Sequence, residues 1–243
     1  MSAATADKFL GGKIIAKQPA AGFRSGLDAV MLAAAVPARE KSTVLEIGAG
    51  VGVASLCLAA RVGCVILGIE IDADLVNLAN ENAHANKFGE RVKFLEDDIF
   101  MLRPQLRRTF DHVFCNPPFH GDDEKASPNA HRARAMKDGR KLGEWLHAAM
   151  KRVSSRGTFT TIIRADRMRD AIADLPPRGV VVFPLWPKPV EQAKRVIIQA
   201  RKTSRAQSVI LPGLVLHDDR GKYTPEAEAV LRGGHALHLD HHR

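Results

Sequence analysis

The sequence predicts an α/β fold, a doubly wound and mostly parallel sheet with helices on both faces and an antiparallel pair closing one edge. From residue 43, short β-rich runs alternate with helical stretches: "TVLEIG", "VASLCLAARV", "CVILGIE", "ADLVNLANENAHANK". That alternation is the pattern of parallel strands joined by crossover helices. "VKFLE", "HVFC" and "TFTTII" continue the strands, with "GEWLHAAMKRV" as the helix before the last of these. At the far end, "GVVVFPLW" and "RVIIQARK" are separated only by "PKPVEQAK". A parallel pair needs a longer crossover, so these two strands are expected to run antiparallel at a sheet edge.

The remaining elements follow from local signals. "FLGGKIIAKQPAAGF" reads as a hairpin or extended arm punctuated by glycine. "SGLDAVMLAAAV" reads as a helix with Ser25 as cap and Pro37 as stop. In "ADLVNLANENAHANK", Leu75, Leu78, Ala79 and Ala83 recur at helical spacing, and Asp72 is placed to cap it. "YTPEAEAVLRG" reads as a helix capped by Thr224, with Pro225 in its first turn and Gly233 beyond its end.

Composition excludes several classes. The longest uninterrupted apolar run is "AVMLAAAV", far short of the roughly 20 residues of a membrane span. The N-terminus has no apolar core or basic flank of a signal peptide. Three cysteines, Cys57, Cys64 and Cys115, form no C-x-x-C pair, so a reduced, cytoplasmic setting is expected rather than a disulfide framework. The terminal "HALHLDHHR" has no closed zinc-site spacing, so no metal is expected there and the stretch reads as a frayed tail. The net charge is +9, which draws polyanions, nucleic acid foremost. Between Lys125 and Arg156 stand nine basic residues against two acidic ones.

The loop after the first β-rich run reads Glu46-Ile47-Gly48-Ala49-Gly50-Val51-Gly52. It is not G-x-G-x-x-G, because position 53 is valine; it is E-x-G-x-G-x-G. Its glycines permit close backbone approach to a ligand at a helix start. Glu70 ends the next strand, 22 positions after Gly48, close to the ~20 at which an acid meets a ribose diol in such folds. Asp98, after the third strand, stands where a carboxylate can accept from an adenine amino group, with Asp97 as the other candidate. Together these acids outline a nucleoside-shaped slot.

The fourth strand breaks into Asn116-Pro117-Pro118-Phe119. Two prolines remove two amide donors and leave outward-facing carbonyls. Asn116 Oδ1 and the Pro117 carbonyl can accept both hydrogens of a planar amine, while Phe119 offers a stacking face.

"LEIGAGVG", "GIEID" and "EDDIF" resemble the first three motifs of the class I S-adenosylmethionine-dependent methyltransferases. That resemblance implies a Rossmann-like seven-stranded sheet with an antiparallel C-terminal hairpin. It implies S-adenosyl-L-methionine as cofactor, with Glu46, Gly48, Ala49, Gly50 and Gly52 at its methionine part. By the same resemblance Glu70 holds the ribose, Asp98 holds the adenine, and Ile71, Ile99 and Asn116 complete the set. The tetrapeptide resembles the signature of methyltransferases acting on exocyclic or amide nitrogens, making Asn116, Pro117, Pro118 and Phe119 the catalytic group.

The arm "FLGGKIIAKQPAAGFRSGLDAVMLAAA", "RADRMRDAIADL", "AKRVIIQARK" and "GKYTPEAEAVLRG" resemble the bacterial family that methylates adenine N6 beside the anticodon of a valine tRNA. That implies Arg24 and Asp28 near the cofactor cleft, Arg195 on the edge strand, and tRNA as partner. Lys125, Arg132, Arg134, Lys137 and Arg140 are then candidates for the RNA backbone. Residues 1–38 are expected as an arm and helix over the cleft, 39–233 as the methyltransferase domain, and 234–243 as a flexible His-rich tail. A guanine-N2 enzyme of ribosomal RNA, a glutamine-N5 enzyme of protein and a non-catalytic RNA-binding module remain the alternatives.

Overall fold

The computed structural model describes residues 4–21, 24–117 and 142–239. The chain opens with an antiparallel hairpin, β1 (Ala4–Phe9) and β2 (Ile14–Pro19). Between them Gly11 and Gly12 adopt φ of 66° and 92°, a region closed to most side chains. Ile14, Ala16 and Gln18 of β2 point inward in strict alternation. Helix α1 (Leu27–Ala35) follows, and Ser25 is not its side-chain cap, as Gly26 occupies that position without a capping bond. Ser25 is bound instead through its backbone, donating to Gln18 Oε1 at 2.8 Å and accepting from Gln18 Nε2 at 3.1 Å.

The alternating region becomes β3 (Thr43–Ile47), α2 (Val53–Arg61), β4 (Val65–Glu70), α3 (Ala73–Ala85), β5 (Val92–Glu96) and β6 (Phe110–Cys115). After it come α4 (Leu142–Arg152), β7 (Val153–Arg164), α5 (Met168–Ala173), β8 (Val180–Trp186) and β9 (Arg195–Arg201). The chain closes with β10 (Val209–Ile210), β11 (Leu214–Val215) and α6 (Pro225–Leu231), whose Thr224 cap accepts from Ala227 N. Asp72 likewise caps α3, accepting from Asp74 N and Leu75 N.

Across the sheet the order is β5-β4-β3-β6-β7-β9-β8-β10, with β11 also paired to β8. β9 runs antiparallel to both β7 and β8, and the other pairings are parallel. The expected hairpin is present, but its second strand inserts between β7 and β8. Arg195 therefore lies on an inner strand, not on the edge. The exposed flank of β8 is covered by the two-residue strands β10 and β11, which carry too little pattern to be read in advance.

Alternating side chains divide the core into two layers. Val44, Ile66, Phe94 and Phe114 pack beneath α1, α2 and α3; Leu45, Leu67, Val113 and Phe159 pack with Leu146 and Ala149 of α4. Part of the positive charge is structural. Arg61 donates to Ala33 O of α1 and to Val36 O just past it, Arg91 to Ala59 of α2, and Lys202 to Met150 O of α4 and Val153 O just past it. Cations at helix C-termini satisfy carbonyls that the helix leaves unbonded. The tail is packed through residue 239: Leu237 N donates to Ala34 O at 2.8 Å, and Leu239 is buried. Frayed is thus the wrong description for residues 234–239. Cys57, Cys64 and Cys115 are free and buried. Among the described residues, no helix is long and apolar enough to cross a membrane.

Candidate active site

β3 pairs with β4 on one side and β6 on the other, so chain order reverses at β3. In open α/β sheets ligands bind at the carboxyl ends of strands at such a switch point. Ile47 lies opposite Cys115 in register, which brings the glycine loop after β3 beside Asn116 after β6. Gly48 N and Ala49 N both donate to Ile69 O, at 2.8 and 3.1 Å, fastening the loop to β4. Gly48, Gly50 and Gly52 all have positive φ, 69°, 55° and 83°, yet the three are not equivalent. A Cβ on Gly52 would lie 2.5 Å from Phe94 Cζ, whereas one on Gly50 would meet nothing within 4 Å. Gly52 makes room for a core ring, and Gly50 presents bare backbone to the cleft. Beside Gly48, the Trp145 ring of α4 would stand 3.6 Å from an added Cβ.

The acids at the strand ends have distinct partners. Glu70 Oε2 accepts from Gly50 N at 2.9 Å, while Oε1 accepts from Ile71 N and Asp72 N at 2.9 and 3.2 Å. A carboxylate offers about four acceptor positions; described residues engage three, which leaves one on Oε2 able to accept from a hydroxyl. Burial nonetheless holds the Glu70 carboxyl above its ordinary range. Asp98 accepts from Phe100 N at 2.8 Å, and its other oxygen has no partner among the described residues. Asp97 is committed elsewhere, paired to Arg103 Nε at 2.7 Å. Ile71 is exposed beside Glu70, and Ile99 is buried under the Asp98 turn.

Glu46 is 4% exposed and takes both the backbone N–H and the hydroxyl of Ser55 on Oε2. Burial pushes its carboxyl up to about 8 against the opposing pull of Ser55, with no cation beside it among the described residues. A positively charged amino group reaching Oε1 would restore the ionised form.

Asn116 supplies the decisive feature at the strand end. Its Oδ1 is buried and has no hydrogen-bond partner among the described residues. A buried carbonyl oxygen left unbonded costs on the order of 1–3 kcal/mol, and such exceptions concentrate at functional sites. Pro117 follows, buried. Pro118, Phe119, Lys125, Arg132, Arg134, Lys137 and Arg140 lie outside the described residues. Arg24 binds Asp7 of the arm, and Asp28 binds Arg195 Nε at 3.0 Å, tying α1 to the carboxyl end of the sheet.

Sequence reasoning missed three contributors. Trp145 packs edge-on against Phe100, ring centroids 5.4 Å apart, and so joins the Asp98 turn to Gly48. Ser55 anchors Glu46. Asn82 of α3 is 1% exposed and behaves as a backbone surrogate: its Oδ1 accepts from Lys17 N at 2.8 Å, and its Nδ2 donates to Lys17 O and to Val51 O. It thereby links the arm to the glycine loop. The signal available was the pair Asn82 and Asn86 at i, i+4 in an otherwise apolar-faced helix, since Asn86 grips Ile15 in the same way.

The methyltransferase small domain family matches residues 24–164, more than half the chain, spanning α1, the glycine loop, Glu70, Asp98 and Asn116. The chain belongs to this family. A tRNA1(Val) (adenine(37)-N6)-methyltransferase of Bacteroides fragilis is 29% identical over 184 residues, covering 72% of this chain and 76% of that protein. The enzyme of that name from Flavobacterium johnsoniae is 27% identical over 215 residues, covering 86% and 91%. Among solved structures, a predicted O-methyltransferase from Agrobacterium tumefaciens superposes with a TM-score of 0.72 at 24% identity, covering 87% of this chain and 98% of that one. At these identities the superposition shows a shared fold, and the fold is the Rossmann-like one expected.

The protein is an S-adenosyl-L-methionine-dependent methyltransferase, and its residues fit that cofactor. Gly50 opens space at the loop, and among the described residues Glu70 keeps an acceptor position, one Asp98 oxygen has no partner and no cation stands beside Glu46.

Proposed function

We propose that this methyltransferase modifies the N6 amine of an adenine in tRNA. The single observation behind the nucleophile class is the buried, unbonded Asn116 Oδ1 at the switch point, followed in sequence by Pro117, Pro118 and Phe119. The names of the tRNA-modifying relatives support adenine and tRNA as the substrate. When bound, the cofactor supplies an electrophilic methyl group on a sulfonium.

The chain's part is to prepare the amine. Asn116 Oδ1 and the Pro117 carbonyl accept its two hydrogens, which draws the nitrogen lone pair out of conjugation and fixes its direction. Positioning of this kind supplies most of the acceleration for a displacement that needs no strong base. Phe119 stacks on the base, which must leave its own stack to reach the cleft. Glu46, Gly48, Ala49, Gly50, Gly52, Glu70, Ile71, Asp98 and Ile99 hold the cofactor, and Lys125, Arg132, Arg134, Lys137 and Arg140 hold RNA phosphates.

Asn116→Ala tests the assignment. A structural asparagine would lower stability when removed, whereas deleting an unbonded buried oxygen leaves stability equal or higher. The expected variant melts at or above the wild-type temperature, binds cofactor normally, and transfers methyl about 10²–10³-fold more slowly, the range for losing one oriented polar group. Joint loss of folding, binding and transfer would show Asn116 to be structural.

A further inference from the structure

The edge of the sheet opposite Asn116 carries a cluster of arginines that the chemistry above does not use. β7, β8 and β9 are neighbours there, with Thr158 opposite Arg201 and Val180 opposite Ala200. Arg156 and Arg178 stand just before those register positions, and Arg205 just after β9. Backbone contacts interlock them: Arg201 Nη1 donates to Arg156 O and Arg178 Nη1 to Arg205 O, both at 3.3 Å. All four are exposed, and none has an acidic partner among the described residues. Segments 151–157, 176–180 and 200–209 contain no Asp or Glu at all. Lys151 and Arg152 at the end of α4 extend the cluster, and Arg152 Nη1 is buried without a hydrogen bond among the described residues. Arg156 itself adopts φ 65°, an uncommon backbone region for a side chain of this size. The field is felt nearby: burial foremost holds His112 down to about 4, and Arg201 and Arg39 press the same way against the opposing pull of Asp111.

Four guanidiniums at or just beyond the ends of three adjacent strands, whose outer members are about 10 Å apart, form a comb of forked donors. Like charges without ion-pair partners among the described residues repel one another, and the partner that relieves this is a polyanion with regularly spaced phosphates. We propose that Arg156, Arg178, Arg201 and Arg205 form a distal docking surface for the phosphate backbone of the RNA substrate, remote from its target nucleotide. The inference rests on the RNA reading above. β7 from Arg156 to Arg164 spans about 26 Å at the usual strand rise. Only an RNA extending that far from the modified base can touch both the comb and the catalytic edge.

The test compares full-length unmodified tRNA with a short anticodon stem-loop, in methyl-transfer kinetics at about 0.15 M salt. Replacing all four arginines by glutamate should raise KM for the full-length tRNA at least about tenfold and flatten its salt dependence by roughly one logarithmic slope unit per arginine. The turnover number, cofactor affinity and KM for the stem-loop should stay unchanged. Lysine at the same four positions should keep KM within about threefold, and the pair Arg156→Glu with Arg205→Glu repeats the measurement if the fourfold reversal does not fold. An unchanged KM for full-length tRNA overturns the proposal, as does an equal rise for both RNAs. Loss of binding to anionic vesicles in the glutamate variant, with tRNA kinetics intact, assigns the comb to a lipid surface and overturns it too. If the wild type methylates no RNA, the substrate reading itself falls; if it methylates RNA and the variants are silent, only the distal surface falls.

Discussion

Asn82→Ala should damage the cofactor loop from a distance. The wild-type amide makes three bonds of 2.8, 3.0 and 3.1 Å, two to Lys17 of the arm and one to Val51 between Gly50 and Gly52. At about 1 kcal/mol net for each bond the fold should lose about 3 kcal/mol, weighted toward the Val51 carbonyl, which stays buried and unpaired. The control lies one helical turn away. Asn86 holds Ile15 of the same arm through two bonds and does not touch the glycine loop. Because those bonds are exposed, Asn86→Ala should cost about 1 kcal/mol. Urea unfolding gives the stabilities, and calorimetric titration with cofactor gives the dissociation constants. Asn82→Ala should weaken cofactor binding at least about tenfold, equivalent to about 1.4 kcal/mol of loop ordering, while Asn86→Ala leaves it unchanged. Equal effects of the two variants, or none from either, would refute the link between arm and loop.

Glu46 gives a pH signature. Its folded carboxyl titrates near 8 against 4.5 when exposed, so the folded state holds the extra proton between those values. The apo protein is therefore favoured below pH 4.5 and loses that contribution, of order 4–5 kcal/mol, as pH rises through 8. Glu46→Gln should flatten this slope in urea unfolding between pH 6 and 9; an unchanged slope would show that the proton sits elsewhere. Gly68 on β4 has its Cβ direction filled by the Phe94 ring, so Gly68→Ala should destabilise by about 1–3 kcal/mol, and a melting temperature equal to wild type would contradict the packing. His112 is held low by burial first, so it contributes stability that is lost as pH falls from about 6.5 through 4. His112→Asn should soften acid unfolding in that window, and an identical acid limb would exclude the group.

How much of this was legible in the sequence depends on range. Strand runs such as "TVLEIG" and "VILGIE", the glycine loop, the Asp72 and Thr224 caps and the terminal antiparallel pair all rest on local pattern, and all stand in the structure. The position of β9 was not legible, because an antiparallel pair looks the same whether its second strand lies at the rim or slips inside. Ser25 was misread as a cap because serine before a helix is a common cap, while the competing Gln18 contact spans seven residues and depends on the hairpin. Leu239 lies in a His-rich stretch whose composition suggests fraying, yet one leucine finds the core. Residue identity and spacing pointed to Glu70, Asp98 and Asn116, which the structure brings to the carboxyl ends of β4, β5 and β6. The supports of Ser55, Asn82 and Trp145 come from contacts that only the folded chain brings together. Likewise, the charge run after Asn116 was visible in sequence, but not that Arg178, Arg201 and Arg205 join Arg156 from distant segments.

The most direct test of the account is nucleoside mass analysis of unmodified tRNA and of ribosomal RNA after incubation with the protein and labelled S-adenosyl-L-methionine. N6-methyladenosine is expected in tRNA alone. N2-methylguanosine in ribosomal RNA, or no nucleoside label while the cofactor still binds, would contradict it.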